Sequence, residues 1–186
     1  MSSDSLHVLT LSGSLRKGSL NSASLSAAAE LAPVGVTLTP GSIQGIPLYD
    51  EDLRGEGTPE AVTALAAAIA SADAVLISTP EYNYSIPGVL KNAIDWVSRL
   101  DPQPFAGKPV AIMGASMGRL GTARAQYHLR QVFVFLDAMV LNRPEVMIPA
   151  AHTLVDGSGT LTDETTRKHI DALVQALAAH ARRLRG

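Results

Sequence analysis

Three short segments of this 186-residue sequence carry the residue types that do chemistry. The first is Gly13-Ser14-Leu15-Arg16-Lys17-Gly18-Ser19-Leu20-Asn21-Ser22. It follows an apolar run and opens an alanine-rich one, the strand-to-helix position where free backbone N–H groups and the helix dipole favour an anion. Glycine lets the backbone approach closely, the hydroxyls of Ser14, Ser19 and Ser22 donate, and Arg16 adds charge. Gly13 and Gly18 have the spacing of the P-loop, but Ser19 stands where that motif needs its lysine, and G-x-G-x-x-G is not present. Without a lysine to reach a triphosphate, the segment suits a monophosphate or a flavin phosphate better than ATP. The competing reading is a strand-to-helix turn that uses Gly and Ser for conformation only.

The second segment is Pro80-Glu81-Tyr82-Asn83-Tyr84-Ser85-Ile86-Pro87-Gly88, which holds two of the four tyrosines. Pro80 and Pro87 stiffen it, and Ser85 is placed to cap a helix begun by Pro87. Backbone amides beside aromatic faces suit a planar heteroaromatic ring whose carbonyls and nitrogens accept hydrogen bonds; ordinary packing of both tyrosines is the alternative. Asn83-Tyr84-Ser85 also spells a glycosylation sequon, discounted because nothing points to secretion. Glu81 is the only acid in these loops and reads as a solvated charge rather than a general base.

The third segment, Gly114-Ala115-Ser116-Met117-Gly118, matches the G-x-S-x-G nucleophile elbow. Asp137 or Asp156 followed by His169 preserves the Ser…Asp…His order of a serine hydrolase. Against that reading, only three strands precede the elbow, no HGGG-like oxyanion segment is visible, and the first two loops go unexplained. Ser116 is read mainly as a hydroxyl and backbone contact to a ring. The five histidines are scattered; His169 and His180 would lie about 16 Å apart along one helix, too far for one ion. No metal site is expected.

The elements that must position these loops alternate. Strands are predicted over 6–11, 34–39, 74–78, 110–114 and 139–147, and helices over 22–31, 59–70, 86–99, 122–136 and 163–184. Residues 74–78, AVLIS, are apolar almost throughout, which suits a parallel strand covered on both faces. Thr58 before Pro59 reads as a helix cap, and Asp163 with Glu164 is expected to open the last helix while Arg182, Arg183 and Arg185 close it. The polar stretches 41–57 and 149–159 read as surface loops. Alternation of this kind predicts an α/β fold, an open parallel sheet with helices on both sides, and such sheets bind ligands beyond the carboxyl ends of their strands. The three loops fall there.

Composition narrows the field. The chain is 46% hydrophobic and 17% charged, enough apolar material for a core and too little charge for a disordered chain. The length predicts one domain over 1–186. The net charge of −2 offers no basic excess for nucleic acid, and zero cysteines exclude disulfides and thiolate chemistry. No apolar run approaches the ~18 residues of a membrane helix, and the N-terminus has no basic region of a signal peptide, so a cytoplasmic protein is expected.

Taken together, GSLRKGSLN, TPEYNYSIPGVLKNAIDW and GKPVAIMGASMG resemble the NADPH-dependent FMN reductase family, within it the bacterial chromate/quinone reductase branch; IPLYDEDL and AQYHLRQVFVFLDAMVLNRPE extend the resemblance over nearly the whole chain. It implies a flavodoxin-like three-layer sandwich with a five-stranded parallel sheet in the order 2-1-3-4-5 and a noncovalently bound FMN. Carried over by position, Ser14, Leu15, Arg16, Lys17, Gly18, Ser19, Leu20, Asn21 and Ser22 would hold the FMN phosphate and ribityl end. Pro80, Glu81, Tyr82, Asn83 and Tyr84 would line the isoalloxazine, with Ser116, Met117 and Gly118 on its pyrimidine side. NADPH or NADH would reduce the flavin and a quinone would reoxidise it in ping-pong order, with chromate, azo compounds or free flavin as further acceptors and no side chain as nucleophile. The family implies a homodimer or homotetramer, and Arg124, Tyr127 and Glu145 resemble the polar cluster this branch places between dimers. A flavodoxin-like electron carrier and a serine hydrolase remain the rival classes.

Overall fold

The computed structural model describes residues 5–185. Its centre is a parallel sheet. The strands β1 (Leu6–Ser12), β2 (Val36–Pro40), β3 (Ala74–Ser78), β4 (Pro109–Ala115) and β5 (Met139–Val140) run in the spatial order 2-1-3-4-5. A sixth strand, β6 (Val146–Ile148), also pairs with β4. The expected fifth strand over 139–147 is therefore two short ones. β5 pairs with the start of β4 and β6 with its end, and between them Asn142 and Pro144 interrupt the ladder, proline having no N–H to give it.

Period-2 alternation sends side chains to two cores. Leu6 and Val8 of β1, Ala74 and Leu76 of β3 and Ala111 and Met113 of β4 face helices α1 (Leu20–Glu30) and α6 (Glu164–Arg185). Leu9 and Leu11, Val75 and Ile77, and Val110 and Ile112 face α3 (Glu60–Ser71), α4 (Gly88–Val97) and α5 (Ala123–Phe135). The first core is filled by aliphatic and small residues such as Ala27, Ala28, Ala178 and Ala181; the buried aromatics, Trp96, Phe105 and Phe133, lie in the second. With β3 and β4 buried at every position, the middle of the sheet is closed on both faces, and only its ends reach solvent.

Several local expectations shift. The 41–57 stretch contains a short helix, α2 (Glu51–Glu56), capped by Asp50, and the 149–159 stretch contains a single 3₁₀ turn at Ala151–Thr153. Pro59, not Thr58, takes the cap position of α3, with no side-chain bond to it. Pro87 does the same for α4, leaving the Ser85 hydroxyl to bond elsewhere. Asp163 does cap α6, accepting from the Thr166 N–H at 2.7 Å, whereas Arg185 reaches back to pair with Asp73. Among the described residues, no helix is long and apolar enough to cross a membrane.

Candidate functional site

The sheet register sets the starts of the three loops side by side. Ser12 of β1 pairs with Ser78 of β3, and Ser78 with Met113 of β4. The ladder continues one step beyond: the Gly13 N–H donates to the Ser78 carbonyl at 2.8 Å, and the Thr79 N–H to the Met113 carbonyl at 3.0 Å. A Cβ on Gly13 would lie 2.9 Å from Thr79 Oγ1 and 3.2 Å from Pro80 Cδ, so glycine is what lets the first loop cross the second. On Gly114 it would lie 2.0 Å from Thr122 Oγ1 and 2.3 Å from the Thr79 carbonyl, closer than any side chain permits.

A buried polar network ties the three loops together. Asn21 Oδ1 accepts from the Ala115 N–H at 2.9 Å and from Ser78 Oγ at 2.9 Å, and its Nδ2 donates to the Ala115 carbonyl at 3.0 Å. Ser24 Oγ sits 2.8 Å from Ser78 Oγ and donates to the Asn21 carbonyl at 2.8 Å. Oδ1 accepts two bonds and Nδ2 donates one of its two hydrogens within the protein, so Asn21 holds the loops in register.

At the first loop, Ser19 caps α1 by accepting from the Ser22 N–H at 3.3 Å, which starts the helix at Leu20, two residues before the expected position. Ser22 Oγ donates to Ser12 Oγ at 3.1 Å, and the Ser14 and Arg16 N–H groups donate to Ser12 Oγ and Ser14 Oγ, each at 3.3 Å. These bonds curl the loop. The N–H groups of Gly18, Leu20 and Asn21 make no hydrogen bond within the described residues, the usual state of donors at a helix start. Arg16 and Lys17 are exposed and in no ion pair among the described residues. Free donors, a helix N-terminus and two unpaired cations give this loop the chemistry that suits an anion.

The second loop is a two-residue hairpin. Tyr82 and Ser85 exchange both backbone bonds at 3.0 Å, with Asn83 and Tyr84 at φ 50° and 70°, the left-handed pair of a type I′ turn. Its base is clamped to α5. The Glu81 side chain, only 7% exposed, accepts from the N–H groups of Arg124 at 3.0 Å and Ala125 at 3.1 Å and from Arg124 Nε at 2.6 Å, with a second contact from the guanidinium. Burial alone would raise the Glu81 carboxyl, but the Arg124 pair and the α5 N–H bonds outweigh it and hold the group below its ordinary range. Glu81 is thus an N-cap for α5 supplied from the other loop, not a solvated charge; sequence spacing could not show it, because its partners lie 43 and 44 residues away. The Arg124 guanidinium also lies over the Tyr84 ring, 3.4 Å from its centroid, and Ser85 Oγ sits 3.0 Å from His128 Nδ1 of α5. Arg124 is therefore turned to the hairpin, while Tyr127 bonds to Glu145, which raises the phenol.

The third loop is pinned from behind: Ser116 N–H donates to the Ile148 carbonyl at 3.0 Å, Ala151 N–H to the Ser116 carbonyl at 2.9 Å, and Ala150 N–H to the Gly118 carbonyl at 3.1 Å. Ser116 Oγ donates to the Gly118 carbonyl at 3.3 Å. A nucleophile elbow needs a sharp strand-to-helix turn with the serine bonded to a histidine. Here α5 begins only at Ala123, Ser116 is not among the residues of positive φ, and Asp156 is engaged by Ser158 and Thr160. The serine-hydrolase arrangement is not formed.

A cavity of about 210 Å³ opens where the loops meet, lined by Ser14, Arg16, Ser19, Leu20 and Asn21 from the first, Pro80, Glu81 and Tyr82 from the second, and Ala115, Ser116 and Met117 from the third. Lys17, Gly18 and Ser22 border an adjoining cavity along α1, Gly118 a second one beyond Met117, and Leu15, Asn83 and Tyr84 stand exposed at the rims. Reasoning from sequence missed Ser78, Ser24, Thr122 and His128; of these only Ser78, a polar residue ending an apolar strand, left a signal. The donor set fits FMN: cations and free N–H groups at one end for a phosphate, and exposed Tyr82 and Met117 at the other for an apolar ring edge.

This fold and this site define a class. The family model for NADPH-dependent FMN reductase matches residues 6–153, and the chain belongs to that family. It is 56% identical, over 99% of its length and all of the relative's, to an NAD(P)H-dependent FMN reductase of Pseudomonas aeruginosa. It is 50% identical to a quinone reductase of Escherichia coli, covering 98% of this chain and 99% of that one. Among solved structures, FerB, a flavoenzyme NAD(P)H:(acceptor) oxidoreductase from Paracoccus denitrificans, superposes with a TM-score of 0.86 at 36% identity, over 96% of this chain and 98% of that one.

Proposed function

We propose that the chain is an FMN-dependent oxidoreductase that takes reducing equivalents from NADPH or NADH and delivers them to quinones. The observation that carries this reading is the convergence of three loops, from the carboxyl ends of β1, β3 and β4, on one cavity with an anion-binding end and an apolar end. Bound FMN supplies the hydride and electron exchange.

The protein's part is to bind, orient and shield. Ser14, Arg16 and Ser19 with the N–H groups of Gly18, Leu20 and Asn21 take the phosphate, Arg16 by a charge-assisted contact. Leu15, Lys17 and Ser22 complete that rim, and Asn21 acts by fixing Ala115 and Ser78 beneath it. Pro80, Tyr82, Asn83 and Tyr84 form one wall of the ring site and Ser116, Met117 and Gly118 the other. The N–H groups of Asn83, Tyr84, Met117 and Gly118, which make no hydrogen bond within the described residues, serve as donors to ring carbonyls and nitrogens. Glu81 orients the wall through Arg124. Donor and acceptor use the same opening in turn, which gives ping-pong kinetics. The reading carries with it a cytoplasmic location and self-association as a dimer or tetramer, for which exposed Leu48, Val134 and Phe135 offer apolar surface.

The experiment is an anaerobic titration of the FMN-loaded protein. Excess NADPH or NADH should bleach the flavin absorbance, and a quinone should restore it. A flavin that stays oxidised under excess nicotinamide refutes the reductase reading; bleaching without steady turnover would mark an electron carrier. Ser116→Ala should keep its turnover within a fewfold, whereas abolition of activity with FMN still bound would restore the nucleophile reading.

A further inference from the structure

Beyond the three-loop cavity lies a second of about 320 Å³, which shares Glu81, Ser116 and Met117 with it and is otherwise lined by Gly118, Arg119, Leu120, Thr122 and Arg124. Its two arginines differ. Arg124 is neutralised by Glu81 and stacked on Tyr84. Arg119 is exposed and, among the described residues, makes no ion pair and no side-chain hydrogen bond. It follows directly on a segment whose Ser116 and Gly118 carbonyls are fixed to Ala151 and Ala150, so this cation is mounted on a rigid support rather than on a free loop. On either side of it, Met117 and Leu120 are 66% and 53% exposed. An unpaired guanidinium between two apolar side chains, in a cavity continuous with the ring site, matches a ligand in which flat apolar rings alternate with phosphates.

We propose that Arg119 binds a phosphate of the pyridine dinucleotide, with Met117 and Leu120 supporting its rings, so that this second cavity is where the non-reacting part of NAD(P)H lies. The inference rests on the reductase reading above. Two phosphates share this chemistry, the pyrophosphate common to both nucleotides and the 2′-phosphate found only on NADPH.

The test uses the FMN-loaded protein and its Arg119→Ala and Arg119→Lys variants. Steady-state KM is measured for NADH and for NADPH, and binding of ADP-ribose and 2′-phospho-ADP-ribose is measured by calorimetry at low and high salt. Loss of one charge-assisted contact should raise the affected KM by about ten-fold or more in Arg119→Ala, weaken the matching fragment similarly and flatten its salt dependence, with Arg119→Lys recovering part of the loss. Equal effects on both nucleotides assign the pyrophosphate; an effect confined to NADPH and the 2′-phosphorylated fragment assigns the 2′-phosphate. Unchanged KM values and fragment affinities overturn the proposal, as does a loss confined to kcat. A wild-type flavin that stays oxidised under excess NADH strikes the reductase reading instead, and the fragment measurements, which need no turnover, still decide the role of Arg119.

Discussion

Asn21 grips both the N–H and the carbonyl of Ala115, 94 residues further along the chain, at 2.9 and 3.0 Å. That pair locks the start of α1 to the end of β4, and through Ser78 to the end of β3. Asn21→Leu would leave the Ala115 amide and carbonyl without their buried partner and the Ser78 hydroxyl with only Ser24. We expect a folded protein less stable by about 2–4 kcal/mol and a weaker grip on FMN. Urea unfolding and FMN fluorescence quenching read the two effects, and Asn21→Asp, which keeps the acceptor and loses the donor, should also be destabilised.

Glu81 is the corresponding tie between the hairpin and α5. Its carboxyl is held below the ordinary glutamate value of 4.5. A depressed value means that its stabilisation is fully present above pH 4.5 and is lost as pH falls through the folded-state value. Glu81→Gln should therefore be less stable than wild type at neutral pH, by about 1–2 kcal/mol, and the gap should narrow in acid as the wild-type carboxylate is protonated. Comparing the two proteins isolates Glu81 from Asp73 and Asp163, which are also lowered but are common to both. A gap that is constant from neutral pH to well below 4.5 would contradict the assignment.

Arg16 separates binding from folding. Exposed and without an ion pair among the described residues, it has no part in holding the fold. Arg16→Ala should unfold at the same urea concentration as wild type without FMN, yet lose about 1.5–3 kcal/mol of FMN affinity. Wild-type affinity in the variant would mean that the phosphate lies elsewhere.

The alternation of apolar runs made the doubly wound sheet legible, because buried parallel strands such as 74–78 announce themselves in composition. The order of the strands came only with the family resemblance. The loops were legible as segments, since glycine, serine and tyrosine at strand ends have few structural reasons to cluster. What stayed hidden was long-range pairing. The period-2 signal could not show that 139–147 would break at Asn142 and Pro144 into two strands on different parts of β4. Nor could Glu81 be seen as a cap when the N–H groups it satisfies belong to a helix on the other side of the site. That the Asn21 side chain ties Ala115 and Ser78 was equally hidden, because a polar residue in a phosphate loop looks the same whether it faces a ligand, the neighbouring strand or both.

The claim on which the rest depends is that all three loops hold one FMN together. Amide hydrogen exchange, followed residue by residue with and without FMN, tests it most directly. The account predicts new protection at Gly18, Leu20 and Asn21, at Asn83 and Tyr84, and at Met117 and Gly118 in the same titration and with the same midpoint. Protection absent from any one of these loops, or centred on another cavity such as that beside Asp73 and Lys108, would contradict it.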